Sequence, residues 1–312
     1  MEEEKKPDES VSINKAQSSP CIIFFYEMKK QRYQTFFNLS KGCYIRNIEQ
    51  MQNGMCFPTP QGWMLIVHPH GKHCCLFDPL TMSKKNLPSL QQEASPVTNL
   101  ICTLSSSPTD ENCTVLCADM GKRLLFFYQD GDTKWTLYKY NLGDNYLSNV
   151  ATCDGKFYGL TLQDNFATID CSPNPRINIL EPLNIHWPVG ASTRISYLVE
   201  SCGEMYSVDC FKRAHKSNKT THISVKKRDS SRQAWDTVYS IGGRVILLGS
   251  ENSSASWSAS ELGVKGDCIY YVETNDKRVY CFDLEEGCTS VHMACSRLQP
   301  SGLTPMWILP AS

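Results

Sequence analysis

The chain has 312 residues, 41% of them hydrophobic, and 31 Lys and Arg against 32 Asp and Glu give a net charge of −1. That is enough apolar sequence to bury a large core. The balanced charge excludes the basic field by which proteins hold nucleic acid or an anionic membrane surface, so neither is expected as a partner.

Residues 1–20 open MEEEKKPDES and are polar throughout. They read as a disordered tail and lack the apolar core of a signal peptide. The location expected is cytoplasmic and/or nuclear. There the 16 cysteines serve as small buried hydrophobes rather than disulfide partners. No CxxC pair occurs, so no zinc-knuckle spacing is present.

From Cys21 onward, short β-branched and aromatic runs follow one another: CIIFFY, GWMLIV, CCLF, RLLFFY, KFYGLTL, ISYLV, RVILLG, CIYYV, RVYCFDL. Gly, Asn, Asp and Pro clusters separate them, the pattern of many strands joined by tight turns. The runs repeat. A Gly leads a strand at Gly62, Gly155, Gly203 and Gly266, and a later strand ends at Asp78, Asp170, Asp229 and Asp283. Gly62 and Gly155 lie 93 residues apart, Gly155 and Gly203 48, and Gly203 and Gly266 63, the last carrying an insertion of about 15. Blades of four strands run roughly 40–50 residues. The fold expected over residues 21–312 is therefore an all-β propeller of about six four-stranded blades. Each blade exposes two apolar faces that only its neighbours can cover, so the ring must close. The terminal MWILP (Met306–Pro310) and the early CIIFFY or TFFNL are the natural closing strands.

Two stretches carry site-like chemistry. VHPHGKHCC (Val67–Cys75) holds three histidines and two cysteines around a Pro–Gly turn. Across a four-residue hairpin, His68 stands opposite His73, and Cys75 shares that face. These are the one arrangement here offering zinc ligands. Cys74 and Cys75 cannot both point the same way, and the repeat requires a turn there rather than a metal. No metal and no cofactor is therefore expected. KRAHKSNKTTHISVKKR (Lys212–Arg228) holds seven Lys and Arg and no acid. Lys212 and Arg213, then Lys226, Lys227 and Arg228 after twelve residues, fit a bipartite nuclear-localisation spacing. The same run reads equally as a solvated hairpin whose like charges keep it exposed.

No Gly-x-Ser-x-Gly elbow, Walker loop, HExxH or Gly-x-Gly-x-x-Gly is present. No catalytic residue is assigned and no enzyme is expected. The alternative is a propeller enzyme assembled from scattered blade residues, or a metal-binding protein.

TFFNLSKGCYIR (Thr35–Arg46), GWMLIV, LFDPLTMSKKNLPSL (Leu76–Leu90), TLSSSPTDENCTVL (Thr103–Leu116), YLVESCGEMYSVD (Tyr197–Asp209), SIGGRVILLGSENSSASWSASELGVKGDCIYYVE (Ser240–Glu273), VYCFDLEEG and WILP occur in this order. Together they resemble the plant F-box-associated, kelch-like KIB-type β-propeller family, formerly a domain of unknown function, from about Phe36 to Pro310. The resemblance implies a plant protein whose propeller recognises a protein partner. In much of the family that propeller receives the substrate of a ubiquitin ligase while an N-terminal F-box docks onto the ligase scaffold. The 20 polar residues before Cys21 hold no F-box, so the ligase adaptor is not expected as a partner. Lys227 stands where the family has apolar residues, which marks its strand as an edge.

The most characteristic segment is GSENSSASWSASELGVKGD (Gly249–Asp267). Propellers present variable loops at one end of a rigid ring. Asn252, Ser256, Trp257 and Glu261 are therefore the candidate partner-binding residues, with Trp257 as an anchor amid adaptable hydrogen-bonding groups. The same residues also suit a structural role, with the serines satisfying backbone groups at the channel and Trp257 packed between blades.

Overall fold

The computed structural model describes residues 19–28, 31–39, 42–46, 48–68, 73–90, 100–213, 219–249, 253–273, 276–294 and 304–310. The expected tail, apart from Ser19 and Pro20, lies outside them. Six sheets form a ring. The first holds β1 (Cys21–Met28), β2 (Gln31–Asn38) and β3 (Gly42–Arg46). The second holds β4 (Met55–Pro58), β5 (Met64–Val67), β6 (Cys74–Phe77) and β7 (Lys84–Leu87). The third holds β8 (Leu100–Leu104), β9 (Thr114–Asp119), β10 (Leu124–Gln129) and β11 (Thr136–Lys139). The fourth holds β12 (Leu147–Cys153), β13 (Lys156–Thr161), β14 (Asn165–Asp170) and β15 (Arg176–Pro182). The fifth holds β16 (Thr193–Ser201), β17 (Glu204–Lys212), β18 (Thr220–Asp229) and β19 (Ala234–Thr237). The sixth holds β20 (Arg244–Leu248), β21 (Ser254–Ser258), β22 (Cys268–Val272), β23 (Arg278–Asp283) and β24 (Cys288–Ala294). The last strand, β25 (Thr304–Ile308), returns to the first sheet as its inner strand, giving the order β25-β1-β2-β3.

The repeat has a local cause at several of its marks. Asp154 and Gly155 (φ 49° and 70°), like Cys202 and Gly203 (φ 53° and 77°), are consecutive positive-φ residues. They form the tight hairpins between the first and second strands of blades four and five, where glycine removes the Cβ clash of the left-handed region. The recurrent aspartate closes the turn after the third strand of blades two, four and five and after β23 of blade six. Asp78 Oδ1 accepts from Leu80 N (2.8 Å), Asp170 Oδ1 from Ser172 N (2.9 Å), Asp229 Oδ1 from Ser231 N (2.9 Å) and Asp283 Oδ1 from Glu285 N (3.0 Å). A carboxylate bonding a backbone N–H two residues on is an Asx turn.

Six apolar clusters sit between successive blades. Alternate side chains of one strand enter different clusters, as the two-residue period demands. Ile22 and Phe24 of β1 pack with Val245, Leu247 and Tyr270 of blade six. Cys21, Ile23 and Phe25 pack instead with Cys56, Ile66 and Phe77 of blade two. Both faces are covered, which is why these strands read as continuous apolar runs rather than as alternation.

Blade six departs from the four-strand expectation. Its order is β21-β20-β22-β23-β24, and β20 runs parallel to β22. A parallel neighbour requires a crossover. The chain provides one through β21 and a short helix, α1 (Ala259–Leu262), capped by the Ser258 hydroxyl, which accepts from Glu261 N. The insertion in the fifth period is this added strand. Small, polar β21 takes the inner position beside β16, and β20 is wedged behind it.

Candidate functional site

The histidine hairpin forms as its spacing requires. His68 N donates to His73 O at 2.9 Å, and the two rings meet edge to face with centroids 6.3 Å apart. Cys75 lies on their side of the sheet, among Met64, Ile66 and Phe77 of the cluster shared with blade one. Cys74 enters the opposite cluster, with Cys102 and Cys117. Residues 69–72, His70 among them, lie outside the described residues. A concavity of about 290 Å³ opens here, lined by His68, His73, Cys74, Cys75, Lys84, Asn86 and Leu87, with no carboxylate among them. Burial, then His73 and Lys84, lowers the His68 pKa, which keeps that ring neutral. Burial raises the Cys75 thiol, so no ready thiolate is present. Among the described residues, no group of three His, Cys, Asp or Glu has a metal-holding arrangement.

In the basic run, Lys212 ends β17 and residues 220–228 belong to β18, while residues 214–218 lie outside the described residues. β18 is not the edge strand expected from Lys227. It pairs with β17 on one side and β19 on the other. What places Lys227 there is a surface ion pair with Glu204 at 2.5 Å, so a charged side chain does not require an edge. Lys212 is buried and bonds Glu273 at 2.9 Å. Lys226 is buried and its ammonium donates to the carbonyls of Leu183 and Asn184, both at 2.6 Å. Arg228 bonds Glu181 at 2.5 Å and stacks over the Phe166 ring, 4.9 Å from its centroid. Arg213 alone of the five is exposed with no carboxylate partner among the described residues.

The segment around Trp257 is a strand on the axis of the ring. Ser256 Oγ bonds Ser201 Oγ at 2.7 Å and accepts from Arg244 Nε at 3.0 Å. Ser254 Oγ donates to Leu198 O at 3.0 Å. These hydroxyls stitch β21 to β16. Trp257 projects to the other face, where it packs partly buried against Val245, Ala259 and their cluster. Glu261 is exposed on α1, and Asn252 lies outside the described residues. Pro58, Leu100, Val150, Ser254 and Trp307 help line an axial cavity of only about 20 Å³. That is room for a water molecule and far below the roughly 300–1,000 Å³ of small-molecule sites.

Sequence reasoning missed a cluster of buried charges where blades four and five meet. Arg194 on β16 ion-pairs with Asp164 at the β13–β14 turn and reaches Asp209 on β17 at 3.5 Å. Asp209 is fully buried and Oδ1 accepts from Ser196 Oγ at 2.5 Å. Burial raises the Asp209 pKa, against the pull of Ser196 and Arg194. Burial likewise lowers Lys226, against Asp209 and Asp164. The Arg194 guanidinium also lies over Trp187, 5.5 Å from its ring centroid. These residues are far apart in the chain and share no spacing, so only the fold assembles them.

The sequence matches the profile of the KIB1-4 β-propeller family over residues 33–284. An F-box/kelch-repeat protein of Arabidopsis thaliana is 24% identical over 297 residues, 89% of this chain and 78% of that protein. An F-box protein of the same plant is 23% identical over 292 residues, 87% of this chain and 75% of that protein. Among solved structures, a streptogramin B lyase aligns with 88% of this chain and 74% of its own, at 10% identity and a TM-score of 0.41. The profile match spans most of the ring, and the chain belongs to the KIB1-4 β-propeller family.

Proposed function

We propose that this chain is a protein-recognition propeller, playing the part that the substrate-receiving domain plays in F-box/kelch ubiquitin-ligase subunits. The observation that carries the reading is the similarity to two F-box proteins along nearly the whole propeller. The site chemistry agrees with it. The axial cavity found among the described residues is water-sized. Buried Glu181 and Glu273 are engaged in blade-to-blade ion pairs, and buried Asp209 in one within blade five. A rigid ring with exposed connecting loops suits a macromolecular partner. Of the candidate contact residues, Glu261 is exposed, while Ser256 and Trp257 support the axis. The basic residues of Lys212–Arg228 serve the blade first; a role in nuclear import would fall to Arg213 and its neighbours.

Proximity labelling from this chain in Arabidopsis thaliana cells tests the reading. A reproducible set of labelled proteins is expected, some of which accumulate when the proteasome is inhibited. Labelling no different from that of an unrelated propeller would sink it.

A further inference from the structure

The exposed large apolar side chains are not scattered. Ten are found among the described residues, and six of them, Leu162, Ile179, Leu180, Trp187, Val189 and Ile195, fall within 34 residues of sequence at the junction of blades four and five. Single exposed apolar residues need no explanation, but a concentration does. Three of them lie on neighbouring connections at one end of the ring. Leu162 sits on the β13–β14 turn, and Trp187 and Val189 on the connection from β15 to β16. That connection runs beside the turn, with Leu183 N donating to Asp164 O at 2.8 Å.

The surface is built rather than loose. Arg194 stacks on Trp187 from one side while anchored to Asp164 and Asp209. Buried Phe211 meets the same indole edge to face at 5.6 Å. Arg213 packs against Gly190 and donates to Val189 O at 3.5 Å. A Cβ at Gly190, already at φ +80°, would lie 3.2 Å from that guanidinium, so glycine is what lets the cation lie against the loop. The result leaves Trp187 52% exposed and Val189 95% exposed.

The charge around this surface is mostly positive, since the one carboxylate at its turn, Asp164, is already engaged by Arg194. Residues 183–195 contain no Asp or Glu. Among the described residues Arg213 and Lys219 have no carboxylate within ion-pair distance, and His186 and His222 are exposed nearby in the same segments. An apolar anchor site rimmed by unmatched cations complements a ligand with the opposite character.

We propose that the blade four–blade five junction is a docking surface for an acidic segment of a partner protein, whose apolar side chain seats against Trp187 and Val189 while its carboxylates meet Arg213 and Lys219. This rests on the protein-recognition reading and gives that reading a place and a partner chemistry.

A display library of random 12-residue peptides, selected against the full chain, tests it. Enriched peptides are expected to carry excess Asp and Glu beside Leu, Phe or Trp. Their affinity is expected to fall about 10-fold or more in Trp187→Ala. Val189→Asp, at a position too exposed to disturb folding, should lower affinity similarly, while Val189→Lys should keep or strengthen it. Enriched peptides without acidic excess, or binding indifferent to Val189→Asp, would overturn the proposal, as would failure to enrich any peptide. Single-stranded RNA competing for the same surface would also overturn it. The proximity labelling described above is read separately. A labelled partner set that survives Val189→Asp would leave protein recognition standing and remove only this placement.

Discussion

Removing residues 304–312 unfolds the whole propeller in one transition instead of fraying one blade. β25 is paired to β1 in continuous register from Cys21↔Ile308 to Phe25↔Thr304, and it is the inner strand of the first blade. Without it, β1 loses a ladder partner and two inter-blade clusters lose their wall. Trp307, 3% exposed, packs with Ile22, Phe24, Val245 and Leu247 between blades six and one. Met306 and Ile308 pack with Ile23 and Ile66 between blades one and two. Each blade is covered only by its neighbours, so an opened ring exposes two apolar faces at once. Trp307→Ala alone should cost about 3–5 kcal/mol, a large share of the roughly 5–15 kcal/mol that a domain holds in reserve. Thermal unfolding reads both changes. A truncated chain melting at the full-length temperature would mean that the ring is not closed by this strand.

Arg194→Ala is expected to be the most damaging single change at a charged position. It leaves fully buried Asp209 without its nearest cation and Asp164 without its pair. Breaking a buried pair by removing one partner typically costs about 3–5 kcal/mol, because the remaining charge is uncompensated. Lys226 faces the same carboxylates, but its ammonium is committed to the Leu183 and Asn184 carbonyls. The pH dependence has a definite sign. The folded-state pKa of Asp209 is already raised by burial, and losing Arg194 raises it further. A group with a raised folded-state pKa contributes stability at low pH that is lost as pH rises through that value. The penalty of Arg194→Ala should therefore be larger at pH 7 than at pH 5. Arg194→Ala with Asp209→Asn should recover much of the loss by removing the charge that was stranded. Equal penalties at both pH values, with no rescue, would show that Arg194 acts through packing on Trp187 rather than through charge.

The ring was legible in the sequence because its marks are local. Positive-φ glycines such as Gly155 and Gly203, and the Asx aspartates, are imposed by turns a few residues long, so they recur at the blade period. The burial of both faces of strands such as β1 and β20 leaves the runs CIIFFY and RVILL in plain view. The added strand of the sixth blade, β21, was legible only as an excess of residues. SASWS has none of the β-branched pattern of a strand, because its serines bond the neighbouring β16 instead of filling a core. The site was legible least. VHPHGKHCC drew notice by side-chain type, yet those types face two different clusters. Trp257 drew notice as a lone aromatic among serines, yet a strand on the axis buries part of it. NIHWPVG (Asn184–Gly190) reads as an ordinary connection. Its exposed Trp187 depends on Arg194, Phe211 and Arg213 arriving from other strands, which no periodicity announces.

The claim that this propeller recognises a protein through one built surface is tested most directly by comparing proximity labelling by the wild-type chain and by Val189→Asp, at equal expression and equal melting temperature. A discrete set of partners is expected for the wild type, with most of that labelling lost in the variant. An identical labelled set from both chains would contradict it.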